Sequence, residues 1–166
     1  ASNTKKYERD HGQVIYRRSL YVYWKRTCPH PMLTLFDATS REVSSVRRTR
    51  TNTPVQSHGL LNEKQRVEMA RMLAERLIRA DDNDETRLDL LFTLLAAREP
   101  MKKERLACHK LVRAMRTRYR ESPDDAEALL SIGEAERDLS LDAVDHASWT
   151  QLAVTVLASD IAIMLY

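Results

Sequence analysis

From Glu63 to Met164 the apolar residues return at intervals of three and four, and the successive stretches are separated by short polar runs with helix-capping character. That period commits most of the chain to amphipathic helices, because it stacks apolar side chains on one helical face, whereas a half-buried strand needs strict alternation. With 3 Gly and 5 Pro in 166 residues, the chain also lacks the turn residues of a hairpin-rich sheet or a phosphate-cradling loop. A hydrophobic share of 43% beside a charged share of 31% is globular and excludes collagen-like, disordered and disulfide-scaffold chains. The expectation is an all-α fold: one domain over residues 1–166, with an extended segment rich in arginine and aromatic residues over 1–52 and an irregular bundle of about five or six helices over 53–166.

The helices can be placed individually. Thr53-Pro54 has the grammar of a cap followed by a first helical residue and predicts a helix over 54–62. Val67, Ala70, Ala74, Leu77 and Ile78 mark the core face of a helix over 63–80, with Arg66, Glu68, Arg71, Glu75, Arg76 and Arg79 on the remaining face. The run Asp81-Asp82-Asn83-Asp84 stops it and caps the next, whose face is Leu88, Leu91, Phe92, Leu95 and Ala96. Pro100 opens a third helix to about Tyr119 with a strongly cationic back, and Ser122-Pro123-Asp124-Asp125 opens a short fourth that Gly133 ends. A long closing helix is expected from Ser140 or Asp142 through Trp149, Leu152, Val156 and Ile161 to Met164. Val14 to Trp24 has strand-forming composition, but alternation fails at Arg17-Arg18 and again at Tyr21 to Trp24, so a minor strand pair stays open. Cys28-Pro29-His30-Pro31 is expected to break regular structure and lead into an extended connector.

Charge is polarised along the chain. Residues 1–80 carry 16 basic and 7 acidic side chains and residues 81–166 carry 11 and 17, within a net charge of +3. The basic front can meet an anionic partner or be satisfied internally by the acidic rear, and the internal reading is preferred because mixed surfaces are the usual case. Its densest part is Arg41, Arg47, Arg48 and Arg50 beside Asn52 and Thr53, with Arg17, Arg18, Lys25 and Arg26 upstream. Guanidinium forks at a helix start suit an anion or a carboxylate, so Arg41, Arg47, Arg48, Arg50, Asn52 and Thr53 are the candidate anion-binding or structural clasp, with the structural role preferred. Tyr16, Tyr21, Tyr23 and Trp24 interleave with the upstream cations, as nucleic-acid binding requires, but no recognised binding signature accompanies them and nucleic acid is the weaker partner.

No catalytic residue is assigned. The histidines His11, His30, His58, His109 and His146 never fall at metal-ligand spacing, no serine sits in a nucleophile elbow, and Cys28 with His30 lacks a third partner. Cys28 and Cys108 stand 80 positions apart, far from zinc, redox or haem-attachment spacing, and are expected to be free thiols. Neither a metal nor any other cofactor is expected in this domain. Leu152 to Tyr166, the longest apolar stretch, is interrupted by Asp160 and too short to cross a bilayer, so no transmembrane segment is expected.

Arg17-Arg18-Ser19-Leu20-Tyr21-Val22-Tyr23-Trp24-Lys25-Arg26, then Pro29, Pro31, Phe36-Asp37 and Arg41-Glu42, and above all Arg47-Arg48-Thr49-Arg50-Thr51-Asn52-Thr53-Pro54-Val55-Gln56 with Leu61-Asn62, form a pattern. It resembles the uncharacterised C-terminal domain of planctomycete multidomain proteins that also carry a cytochrome-c-like domain. The chain departs from that pattern at Ser44, usually cysteine, at Val55 to Gly59, usually apolar, near Ala97, usually glycine, and at Leu157 to Ile161. The resemblance implies a chain cut from a longer, exported or periplasmic parent, haem c elsewhere in that parent, and a non-enzymatic accessory or interaction role toward sibling domains or an acidic ligand. A nucleic-acid-binding module, or an enzyme fragment needing a sibling domain, are the alternatives.

Overall fold

The computed structural model describes residues 7–25, 27–40, 42, 44–47, 49, 51 and 53–163. The chain divides into two compact units, Ala1–Gly59 and Leu60–Tyr166. Among the described residues all regular structure is helical, and no helix is long and apolar enough to cross a membrane.

In the first unit, the segment with strand-forming composition makes two 3₁₀ turns, Gly12–Tyr16 and Ser19–Tyr21. Arg17 and Arg18 interrupt any apolar face a partner strand would bury, and among the described residues no strand forms. The expected connector after Cys28 is instead α1, Pro31–Leu35. Pro31 takes the first helical position, where its missing N–H costs nothing, and His30 Nδ1 accepts from the Met32 N–H at 3.2 Å as the cap. The next helix, α2, runs Pro54–Asn62 as expected. Its start is a reciprocal capping box: the Thr53 N–H donates to Gln56 Oε1 at 3.0 Å, and the Gln56 N–H donates to Thr53 Oγ1 at 3.4 Å.

In the second unit, α3 (Lys64–Ala80), α4 (Asp84–Ala96), α5 (Lys102–Glu121), α6 (Pro123–Leu130), α7 (Ala143–Leu157) and α8 (Asp160–Ile163) follow. Caps appear where short polar side chains were expected: Asn83 accepts from the Glu85 N–H at 2.9 Å and Asp142 from the Asp145 N–H at 2.7 Å. The start of α5 lies two residues beyond Pro100, because Glu104 reaches back to the Met101 N–H at 2.7 Å. The closing helix is broken in two. Ser159 Oγ donates to the Val156 carbonyl at 2.7 Å, and the chain restarts at Asp160 as α8.

The central element is α7, against which α3, α5, α6 and α8 pack, while α4 packs on α3, α5 and α8. Ala153 on α7 and Ala70 and Ala74 on α3 are fully buried, and side chains this small let two backbones come close, while Ala147, equally buried, faces Tyr119, Ala126 and Leu130 of α5 and α6. Beside them Leu77, Leu88, Leu91, Phe92, Trp149 and Leu152 fill the main core. Two hydroxyls that α7 carries inside are satisfied within the helix: Ser148 donates to the Val144 carbonyl at 2.7 Å and Thr150 to that of His146 at 2.8 Å.

Candidate functional site

The residues assigned to an anion site or clasp are only partly described. Arg41, Arg48, Arg50 and Asn52 lie outside the described residues, Arg47 is exposed, and Thr53 is the α2 cap. Around Thr53 the described groups form a local knot. The Asp37 carboxylate accepts from both the N–H and the hydroxyl of Thr51 at 2.7 Å, and Gln56 Nε2 donates to Thr51 Oγ1 and to the Leu35 carbonyl at 2.9 Å. Gln56 is buried, so all its polar atoms need partners, and it uses them to tie the end of α1 to the start of α2. Gly59 allows the two helices to touch, since a Cβ there would fall on the Leu35 side chain. Sequence reasoning missed Gln56; its signal was the Thr-x-x-Gln spacing.

A second group in the same unit contains the Cys28–His30 pair that the sequence set aside for want of a third partner. Cys28 and His30 share the lining of an open cavity of about 190 Å³ with Tyr7, Glu8, Asp10 and Lys25. The Tyr7 and His30 rings meet edge to face, centroids 5.0 Å apart. Cys28 is half-buried, and both cysteines are free thiols. As a thiol–imidazole pair this arrangement is poor. With Nδ1 accepting from Met32, a neutral His30 carries its proton on Nε2, and taking up the thiol proton at Nδ1 would break the α1 cap.

The densest buried charge lies in the second unit, on the face of α3 expected to meet solvent. Glu68, Arg71 and Glu75 are each at least 95% buried, together with His146 of α7. Their spacing of three and four puts them on one stripe, along which the 131–142 loop lies. Glu68 accepts from the Glu134 and Ala135 N–H groups at 2.8 and 3.1 Å; Arg71 donates to the Ala135 carbonyl at 2.6 Å, the Glu136 carbonyl at 3.4 Å and Glu75 at 3.1 Å. The Asp138 N–H reaches Glu75 at 3.4 Å, and Arg79 grips the Asp138 carboxylate at 2.5 Å. Hydrogen bonds from Ser140 and Arg79 hold that carboxylate well below the usual range. His146 Nε2 lies 3.3 Å from the Arg71 carbonyl, which can only accept, so the proton sits on Nε2. Burial pushes the imidazole pKa down, against the raising effect of that carbonyl and of Glu75 3.8 Å away.

A second ionic centre joins three helix ends. Arg116 of α5 forks onto Asp84 at 2.5 and 2.7 Å and onto Asp145 at 2.5 and 2.8 Å; buried Arg87 donates to Asp145 at 2.8 Å and to the Asp81 carbonyl at 2.6 Å, with its guanidinium 5.7 Å from the Trp149 ring centre. The bond to Arg116 lowers the Asp84 pKa, and Asp84 and Asp145 raise that of Arg116. Both carboxylates lie in the first turn of their helices, where the dipole favours them. Chemically these two centres brace. Apart from the buried Arg71 Nε, their donors and acceptors are turned on one another and on backbone, and among the described residues no group of three or more His, Cys, Asp or Glu is placed to hold a metal ion.

Fold and site together define an all-α domain whose helical unit is laced by internal arginine–carboxylate pairs. The family model described as PSD1, protein of unknown function (DUF1553), matches residues 1–112, and the chain belongs to that family. Neither the curated proteins nor the solved structures offer a match to the chain.

Proposed function

We propose that this chain is a non-enzymatic accessory and interaction domain of an exported multidomain protein associated with a cytochrome-c-like module, contacting sibling domains or an acidic ligand through its basic front segment. The observation that carries the reading is the surface of residues 14–23. Leu20, Tyr21 and Tyr23 are 77%, 67% and 83% exposed, with exposed Arg17 and Arg18 beside them. Aromatic residues and arginine together are the composition of recognition surfaces, whereas a surface without a partner is seldom so apolar. The braced ionic centres of the second unit support the same reading, since their charges already have structural work. Export and the haem-bearing parent rest on the resemblance of residues 17–62.

The test is hydrogen exchange on this chain alone and within its parent polypeptide. Amides over 14–25 become protected in the parent, and Arg18→Glu with Tyr21→Ser removes that protection without changing the thermal midpoint. Unchanged exchange in the parent would overturn the sibling-domain reading. Salt-dependent binding of a single-stranded oligonucleotide, lost in the same double variant, would replace it with the nucleic-acid reading, which the same interleaving of aromatic rings and cations supports.

A further inference from the structure

The outer face of α5, in the second unit, serves neither of the ionic centres nor the 14–23 surface. Lys102, Lys103, Leu106, Lys110, Arg113 and Arg120 are all exposed, and at 3.6 residues per turn they fall within an arc of about 100° turned away from the core residues Cys108, Val112 and Tyr119. The other arginines of this helix are occupied: Arg105 by Glu85 and Asp89, Arg116 by Asp84 and Asp145, and Arg118 by Asp125. Lys102, Lys103, Lys110, Arg113 and Arg120 have no carboxylate partner among the described residues. Their charges are spread along about 27 Å of helix, so an extended negative surface can meet all five at once, whereas a compact anion reaches one or two. Leu106 decides which kind of surface. It is 74% exposed, and its neighbours at i−4, i−3 and i+4 are Lys102, Lys103 and Lys110. A soluble polyanion gives that leucine no apolar environment, and the arc holds no aromatic ring on which bases could stack. At a lipid interface the leucine enters the boundary between headgroups and acyl chains, while the lysines lay their apolar stems alongside it and keep their charges at the phosphates. We propose that the outer face of α5 docks on an anionic lipid surface, held by these five cations with Leu106 inserted between the lysines.

Flotation of the whole chain with vesicles of phosphatidylcholine, with and without phosphatidylserine, tests this. At about 0.1 M salt, where charges are screened over about 10 Å, the chain is expected to float with the serine-containing vesicles and not with phosphatidylcholine alone, and about 0.5 M salt releases it. Lys103→Gln with Lys110→Gln lowers the affinity by about 25-fold, each cation contributing about fivefold. Arg17→Gln with Arg18→Gln removes the same charge from the exposed 14–23 surface and changes the affinity by less than about threefold, because charges more than a screening length from the lipid act weakly on it. Leu106→Ser weakens vesicle binding by about fivefold and leaves any binding of a single-stranded oligonucleotide unchanged. All the substituted side chains are exposed, so the variants keep the fold, which an unchanged thermal midpoint checks. Failure to float with the serine-containing vesicles, equal losses in the two paired variants, or vesicle binding indifferent to Leu106→Ser would each overturn the proposal. Tighter binding of the oligonucleotide than of vesicles at the same salt, lost in the Lys103 and Lys110 variant, would overturn it in favour of a soluble polyanion.

Discussion

Gly133 lies against the buried carboxylate of Glu68: with φ at +114° it turns the chain after α6 so closely over α3 that a Cβ would fall on the Glu68 side chain, 2.7 Å from its Cδ. That turn presents the Glu134 and Ala135 N–H groups to the carboxylate. Gly133→Ala is therefore expected to destabilise by about 2 kcal/mol or more, from strained backbone and displacement of a buried acceptor. Urea denaturation checks this; an unchanged midpoint contradicts it.

Arg71 holds the same loop from the next turn of α3. Arg71→Leu removes the partner of buried Glu75 and orphans two loop carbonyls, so a loss of about 3–5 kcal/mol is expected, with Arg71→Lys intermediate because a point charge cannot reproduce the fork. Exchange of the 134–138 amides should rise more than that of the α7 core. Uniform acceleration throughout the second unit would count against a local clasp.

Burial separates the arginines of α5. Arg116, inside the Asp84–Asp145 fork, should cost about 2 kcal/mol or more as Arg116→Leu, whereas Arg118→Leu, whose pair with Asp125 is more than half exposed on both sides, should stay within about 0.5 kcal/mol. Equal effects would show that the fork stabilises no more than a surface pair.

Ala97 closes α4 with φ at +53°, a left-handed conformation that costs an L-residue about 1–2 kcal/mol. Ala97→Gly relieves that strain, is partly offset by the added freedom of the unfolded chain, and should raise stability by about 0.5–1 kcal/mol. A lower thermal midpoint would mean that Ala97 makes contacts worth more than the strain. The resembled pattern carries glycine near this position.

His146 gives the second unit a pH dependence. Its folded pKa is depressed by burial below the ordinary 6.5, so the unfolded chain binds the proton more readily. Stability is then full above about 6.5 and falls as pH drops below it, until the folded pKa is reached. Arg71, Arg137 and Glu75 are the charged groups acting on it, and Glu75 limits the fall. His146→Gln should flatten the stability profile between pH 5 and 7; a slope unchanged by that substitution would assign it elsewhere.

Helix positions were legible because caps and periodicity are local. Thr53, Asn83 and Asp142 each satisfy an amide within three residues, and Leu88, Leu91 and Phe92 reach the core that their spacing announces. The start of α1 was misread since Pro31 both ends the irregular Cys28–His30 stretch and occupies the first position of a helix. The split after Leu157 was missed because a single Ser159 hydroxyl competes with the helix for one carbonyl.

What the chain determined by itself, then, is its class: the 3.6-residue period and the scarcity of glycine leave helices as the way to bury its apolar groups. Which charged residues are inside was decided by the tertiary structure alone. Glu68, Arg71 and Glu75 have the pattern of a solvated face, and they are buried because residues more than 60 positions later fold over them and supply backbone partners. Helix formation depends on neighbours along the chain, whereas the desolvation of a charge depends on whatever covers it.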